Sequence, residues 1–251
     1  MNVRAIKTHK ITVGDKDILK LLEKYLIELP ENSILAVTSK IVAICEGRVV
    51  PIEGTDKDKL IEEESQFYLP REENPYNVSL TITQDMLAAT AGIDESNSDN
   101  TYVLWPLDPV MSANKIRKYL RERFGIKNVG VIITDSKTSP LRWGVTAMAI
   151  GYSGFEPLKS YVDTPDIFGR SFKFEKLNIA DSLATSASVV MGEGSEQTPL
   201  AVITDVPFVK FVDNDASQEE LAALRITMEE DIFAPIFKNI NWKKGKRANG
   251  E

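Results

Sequence analysis

The sequence predicts an α+β fold, and three observations carry the prediction. Short apolar runs of strand length lie between longer segments with helical periodicity. The two kinds do not alternate strictly as strand, helix, strand, which argues against a doubly wound sheet. A chain of 251 residues with 43% hydrophobic content is long enough and apolar enough for a substantial core.

Taken in order, "GDKDILKLLEKYLIEL" carries Ile18, Leu22, Tyr25 and Leu29 on one helical face, with Asp15 or Asp17 as N-cap. "SILAVTSKIVAI" starts as a buried strand and turns helical. "DKDKLIEEES" reads as a charged, solvated helix, and "NVSLTIT" alternates as a strand does. "DPVMSANKIRKYLRERF" is expected to be a helix capped by Ser112, burying Ile116, Tyr119 and Leu120 and ended by Gly125. "KNVGVIITDS" predicts a buried strand stopping at Asp135, and "VTAMAIGYSGF" predicts another. "NIADSLATSASVVMG" is a small-residue helix, "PLAVIT" a strand, and "SQEELAALRITMEEDIFAPIF" a closing helix. With no internal repeat or low-complexity segment, residues 1–240 read as a single domain, in one or two subdomains. Residues 241–251 read as a loose, solvated basic tail.

Composition excludes several classes. A net charge of −7 disfavours nucleic acid and anionic membrane surfaces as partners. Cys45 is the only cysteine, so no intrachain disulfide can form and a reducing, cytoplasmic setting is expected. The N-terminus lacks the apolar core of a signal peptide, and no apolar run approaches the roughly 20 residues that span a bilayer. His9 is the only histidine, which rules against a Cys/His zinc site and leaves His9 alone to complete any Ser-His-Asp triad.

The residues that remain chemically suggestive are oxygen donors. "AGIDESN" places Asp94, Glu95, Ser96 and Asn97 after an apolar run, where a solvated turn and a metal or phosphate site are both admissible. Asp135 and Ser136 end the strand "VGVIIT", where a rigid element would fix a functional carboxylate and a turn cap is the plainer account. In "VMGEGSEQTP", Gly192 and Gly194 flank Glu193 and free the backbone to approach a ligand; the plainer account is a helix end followed by a surface turn. Carboxylates and hydroxyls select Mg²⁺ or Mn²⁺, which are commonly held by one or two carboxylates together with substrate phosphates. Lys40, Arg48, Arg142 and Arg170 are the candidate cations to complement phosphate, and Arg142 and Arg170 stand beside glycines in apolar surroundings.

The segments "SKIVAICEGR", "AGIDESN", "GVIITDS", "RWGVTAMAIGYSG", "DIFGR", "IADSLA" and "VMGEG", in this order, resemble the coenzyme F420-0:gamma-glutamyl ligase family from about residue 8 to residue 205. The resemblance implies mixed and antiparallel sheets with packed helices in an intertwined homodimer. It implies nucleotide-dependent amide formation, in which an acceptor carboxylate is activated as an acyl phosphate and joined to L-glutamate. Two divalent ions (Mg²⁺ or Mn²⁺) and GTP or ATP are implied. Asp94 and Asp135 match ligands of the first ion, and Ser136 and Glu193 those of the second. Ser39, Asn97 and the loop from Met191 through Gly192, Gly194, Ser195 and Gln197 match nucleotide contacts. Lys40 is a candidate substitute for a family lysine replaced by Ile44, and Arg142 a candidate catalytic cation. Ile44, Thr138 and Ser139 stand where the F420 branch shows Lys and Gly-Arg, and "THKI" replaces an apolar segment. On that ground a folate-type acceptor is expected, with F420-0 as the alternative acceptor. A metal-dependent phosphohydrolase and a non-catalytic nucleotide-binding protein are the rival classes.

Overall fold

The computed structural model describes residues 1–217, 220 and 224–249. In chain order the elements are β1 (Asn2–Ile6), α1 (Ile18–Tyr25), β2 (Ser33–Thr38), α2 (Ser39–Cys45), β3 (Val49–Pro51), α3 (Lys57–Glu64), β4 (Phe67–Tyr68), β5 (Leu80–Thr83), β6 (Met86–Ala89), β7 (Thr101–Val103) and α4 (Pro109–Phe124). There follow β8 (Val129–Thr138), β9 (Val145–Ser153), β10 (Leu158–Ser160), β11 (Lys176–Asn178), α5 (Ile179–Met191), β12 (Leu200–Thr204), α6 (Ala234–Phe237) and β13 (Lys243–Lys244). The expected α+β class with mixed and antiparallel sheets is what the chain forms.

The main sheet has five strands in the order β1-β12-β2-β8-β9. Only β2 and β8 run parallel, paired from Ser33 opposite Val129 to Thr38 opposite Thr134. Both strands are nearly continuous apolar runs because the sheet is covered on both faces. Leu35, Val37, Val131 and Ile133 point toward α1 and α4, and Ile34, Ala36 and Ile132 toward α5. The small residues Ala180, Ala184 and Ala187 of α5 belong to this second layer. A four-stranded antiparallel sheet, β13-β4-β5-β6, and the ribbons β3-β7 and β10-β11 complete the fold.

Four local expectations need correction. The N-cap of α4 is Asp108, whose side chain accepts from the Met111 N–H at 2.9 Å. Pro109, which needs no donor, opens the helix and places Ser112 one turn inside it. Strand β8 runs past Asp135 to Thr138, because β9 continues to pair with it up to Val145. The segment from 241 to 249 is held in place: Lys243 and Lys244 pair with β4, and Arg247 reaches Glu64 at 2.6 Å. The closing helix expected over 217–237 lies partly outside the described residues; residues 225–233 are not helical, and Pro235 stands in the first turn of α6. In that stretch the carboxylate of Asp231 accepts from the Phe233 N–H at 2.8 Å, a local bond that competes with helix formation. No described helix is long and apolar enough to cross a membrane.

Arg117 of α4 ties the sheet to the segment after β12. It is 1% exposed, and its guanidinium donates to the carbonyls of Val129 (3.1 Å), Asp213 (3.3 Å), Asn214 (2.9 Å) and Val212. A Cβ at Gly154 would lie 2.4 Å from Arg117 Nε, so this position requires glycine for space as well as for its φ of +87°. Arg117→Met, which keeps much of the volume and removes all five donors, is expected to lower unfolding stability by about 3 kcal/mol or more, since each stranded buried acceptor costs about 1–3 kcal/mol. Urea denaturation followed by circular dichroism checks this; a loss below about 1 kcal/mol would refute it.

Candidate active site

Because β2 and β8 are parallel, both end at the same rim of the sheet, where the carboxyl ends of parallel strands commonly hold ligands. Ser39 follows the last residue of β2 and Asp135 follows its partner Thr134. Their side chains meet: Ser39 Oγ donates to Asp135 Oδ1 at 3.1 Å. The other carboxylate oxygen, Oδ2, accepts from Trp105 Nε1 at 2.6 Å. Successive strand residues face opposite ways, so Ser136 points to the α5 side. There it donates to Glu193 Oε2 at 2.7 Å.

Asp94 enters from the loop between β6 and β7. Its backbone forms a bridge with Val103, with N–H···O distances of 2.9 and 2.8 Å in the two directions. The side chain accepts from the Ser96 N–H at 2.7 Å and pairs with Lys40 Nζ at 2.6 Å. Lys40 also donates to Ser96 O at 2.9 Å, so one ammonium closes the turn and neutralises its acid. Asn97 Nδ2 donates to Gly194 O at 3.2 Å and joins this turn to the loop after α5.

Apart from Val103 and Trp105, these groups line one cleft of about 720 Å³ together with Thr8, His9, Lys10 and Ile11. Its electrostatics are uneven. Burial pushes the Asp135 carboxyl up to about 6, the charge of Asp94 adds to this, and the Trp105 and Ser39 hydrogen bonds oppose it. At Asp94 burial also disfavours the charge, but the Lys40 bond and charge and the Ser96 contacts outweigh it and hold that carboxyl below its usual range.

Among the site residues expected from sequence, Ser39, Lys40, Asp94, Asn97, Asp135, Ser136, Met191, Gly192, Glu193, Gly194, Ser195 and Gln197 all line this cleft. Arg142 does not join them. It lies in the exposed turn after β8, with its backbone N–H on Ser139 O at 3.3 Å. Arg170 is exposed in a hairpin turn built on Asp166, and Arg48 is engaged by Glu64 at 2.7 Å and Trp105 O at 3.1 Å. Sequence reasoning missed Trp105. It lies in the apolar stretch "TYVLWP", where nothing distinguishes it from a core residue. Gly92 gives the indole its room: a Cβ there would sit 2.2 Å from Trp105 Nε1.

The donor set suits a hard divalent cation, being oxygen throughout. Asp94 with Asp135, and Ser136 with Glu193, form two sparse pairs, and no group of three or more His, Cys, Asp or Glu converges among the described residues. Sparse carboxylates fit ions that complete their coordination with phosphate and water.

A family model described as F420-0:gamma-glutamyl ligase matches residues 5–205. A protein of Methanococcus maripaludis strain C7 named coenzyme F420:L-glutamate ligase is 36% identical over 226 residues, covering 89% of this chain and 87% of that protein. Proteins of the same name from Methanopyrus kandleri and Archaeoglobus fulgidus are 34% and 30% identical, covering 77% and 91% of this chain and 82% and 94% of theirs.

The close approach at Gly92 yields a prediction. Gly92→Ala would drive a methyl group into the Trp105 indole at a position whose φ is +70°. Rearrangement of Trp105 and loss of about 1–3 kcal/mol of stability are expected. Indole fluorescence and thermal melting report both, and an unchanged spectrum with an unchanged Tm would contradict the packing described.

Proposed function

The chain belongs to the F420-0:gamma-glutamyl ligase family, and on that premise we propose that it joins L-glutamate to the carboxylate of an F420-0-type acceptor, using a nucleoside triphosphate and divalent ions. Members of this family are enzymes that form an amide bond with glutamate. The observation that carries the site assignment is the convergence of Asp94, Asp135 and the Ser136–Glu193 pair in a cleft of about 720 Å³, a size suited to small-molecule ligands.

The chemistry begins with a poor electrophile. A carboxylate resists attack by an amine because oxide would have to leave. Transfer of the terminal phosphoryl group to an acceptor oxygen forms an acyl phosphate and releases the nucleoside diphosphate. The glutamate nitrogen then attacks the acyl carbon, phosphate leaves, and the nitrogen loses a proton. Divalent ions, when bound, supply neutralisation of phosphate charge. Asp94, Asp135, Ser136 and Glu193 would hold them. Ser39 and Trp105 fix both oxygens of Asp135, so it meets its ligand in a set orientation. Ser39, Lys40, Asn97 and the 191–199 loop would contact the nucleotide.

A folate-type acceptor, expected from Ile44, Thr138 and Ser139, finds no support in the relatives, whose names specify coenzyme F420. Of those three positions Ile44 alone borders the cleft. Ile44 is 5% exposed and packs with Ala43 and Val103, so its apolar side chain serves the wall of the cleft. Thr138 and Ser139 are exposed and lie outside the cleft lining.

Two outcomes follow from this reading. Given GTP or ATP, Mg²⁺ or Mn²⁺, L-glutamate and equal amounts of F420-0 and tetrahydrofolate, the protein is expected to add glutamate to F420-0, read by mass spectrometry. Preference for tetrahydrofolate would overturn the acceptor, and phosphate release independent of glutamate would favour a phosphohydrolase. In the same assay Asp135→Asn is expected to lower kcat more than tenfold, about 1.4 kcal/mol of barrier. The second outcome concerns assembly. Trp143, Ile167, Phe168 and Phe174 stand almost fully exposed on the turn after β8 and the following hairpin, and such apolar surface supports a homodimer. Light scattering is expected to give twice the 28.0 kDa chain mass; the mass of one chain at micromolar concentration would refute it.

A further inference from the structure

The segment Thr8–Ile11 forms one wall of the cleft, and three of its four residues are anchored. The Thr8 N–H donates to Gln197 O at 2.9 Å, which ties the segment to the loop after α5. His9 is gripped on both sides of its ring. Asp15 Oδ1, which can only accept, lies 3.0 Å from Nε2, and the Tyr25 hydroxyl lies 2.6 Å from Nδ1. The arrangement is self-consistent with Nε2 donating to Asp15 and the hydroxyl donating to Nδ1, while the hydroxyl oxygen accepts from the His9 N–H at 3.0 Å. Ile11 packs against the buried cluster of Ala43, Ile44 and Val103. Lys10, between these anchors, is exposed and faces the cleft, and it makes no hydrogen bond or ion pair among the described residues.

That isolation stands out against the charge of the cleft. Asp94, Glu95, Asp99, Asp135, Glu193 and Glu196 all line it, whereas among the described residues its only lysines or arginines are Lys10 and Lys40. Lys40 already pairs with Asp94 at 2.6 Å, so the charge it can offer a ligand is partly neutralised. An ammonium in so acidic a cleft, held on an anchored backbone, is placed for a charge that arrives with a ligand. Resting on the ligase reading above, we infer that Lys10 binds an anionic group of a substrate. The shared chemistry is an oxyanion, a carboxylate of glutamate or of the acceptor, or a nucleotide phosphate. His9 is a positioning residue that fixes the backbone from which Lys10 projects.

The test is a Lys10→Gln variant, whose exposed site keeps folding unaffected, with Lys10→Arg beside it. KM is measured separately for L-glutamate, F420-0 and GTP, and calorimetry gives the affinity for each ligand alone with Mg²⁺ present. For one of the three, KM is expected to rise roughly ten- to a hundredfold in Lys10→Gln, the size of one lost charge-assisted contact. kcat should stay within about threefold, the other two KM values should hold, and Lys10→Arg should restore most of the loss. The affected substrate identifies which oxyanion Lys10 receives. KM values within threefold for all three, or a fall in kcat alone, would overturn the assignment. A wild-type protein that forms no glutamyl product sinks the ligase reading instead, and calorimetry then decides for Lys10. Weaker binding of one ligand by Lys10→Gln supports the inference, and equal affinities or no binding by the wild type overturn it.

Discussion

The parallel pairing of β2 with β8 is the constraint from which the site follows. Antiparallel neighbours would end at opposite edges of the sheet. Parallel ones end together, and the register places the residues after Thr38 and Thr134 side by side. The Ser39–Asp135 contact is thereby set by the backbone before any side chain is chosen. The two-residue period of the strand then divides the work, sending Asp135 toward Trp105 and Ser136 toward Glu193. A one-residue slip of β8 would exchange these partners and turn Ile132 and Ile133 to the wrong layers.

The same rim concentrates negative charge, and the fold manages it in two ways. Asp94 is neutralised by a lysine from α2 and braced by a backbone N–H, so its carboxyl stays acidic. Asp135 receives only neutral donors and sits deeper, so burial raises its affinity for a proton. Two acids in one cleft thus meet a ligand differently, because one already has a counter-charge and the other does not.

Much of this was legible in the sequence, for identifiable reasons. Continuous apolar runs announced β2 and β8, and small residues announced α5. The "AGIDESN", "GVIITDS" and "VMGEG" segments supplied Asp94, Glu95, Asp135 and Glu193, four of the six acids of the cleft. What escaped depended on distant partners. The cap of α4 was misplaced because Pro109 opens the helix at Asp108, ahead of the more familiar serine cap. The end of β8 was misplaced because pairing with β9 outlasts its apolar run. Trp105 looked like core because its polar nitrogen finds Asp135 thirty residues away. Arg142 was drawn in by neighbouring glycines and apolar residues, yet that turn faces outward. The C-terminal segment read as loose, whereas its basic run, though solvated, is held by β4 and by Glu63 and Glu64 of α3.

Those last contacts span 183 residues of chain. Glu64 also holds Arg48, and Arg48 holds the carbonyl of Trp105. At the other extreme β1 pairs, among the described residues, with β12 alone, so Asn2 waits for Thr204. Both dependencies have a meaning in time. On a ribosome the first strand emerges with no partner and stays so until most of the polypeptide has been made. The wall behind Asp135 receives its last support later still. Pairings of such separation close slowly, and the strand edges exposed meanwhile invite mispairing. Assembly of the cleft is therefore a late event in the life of each newly made chain.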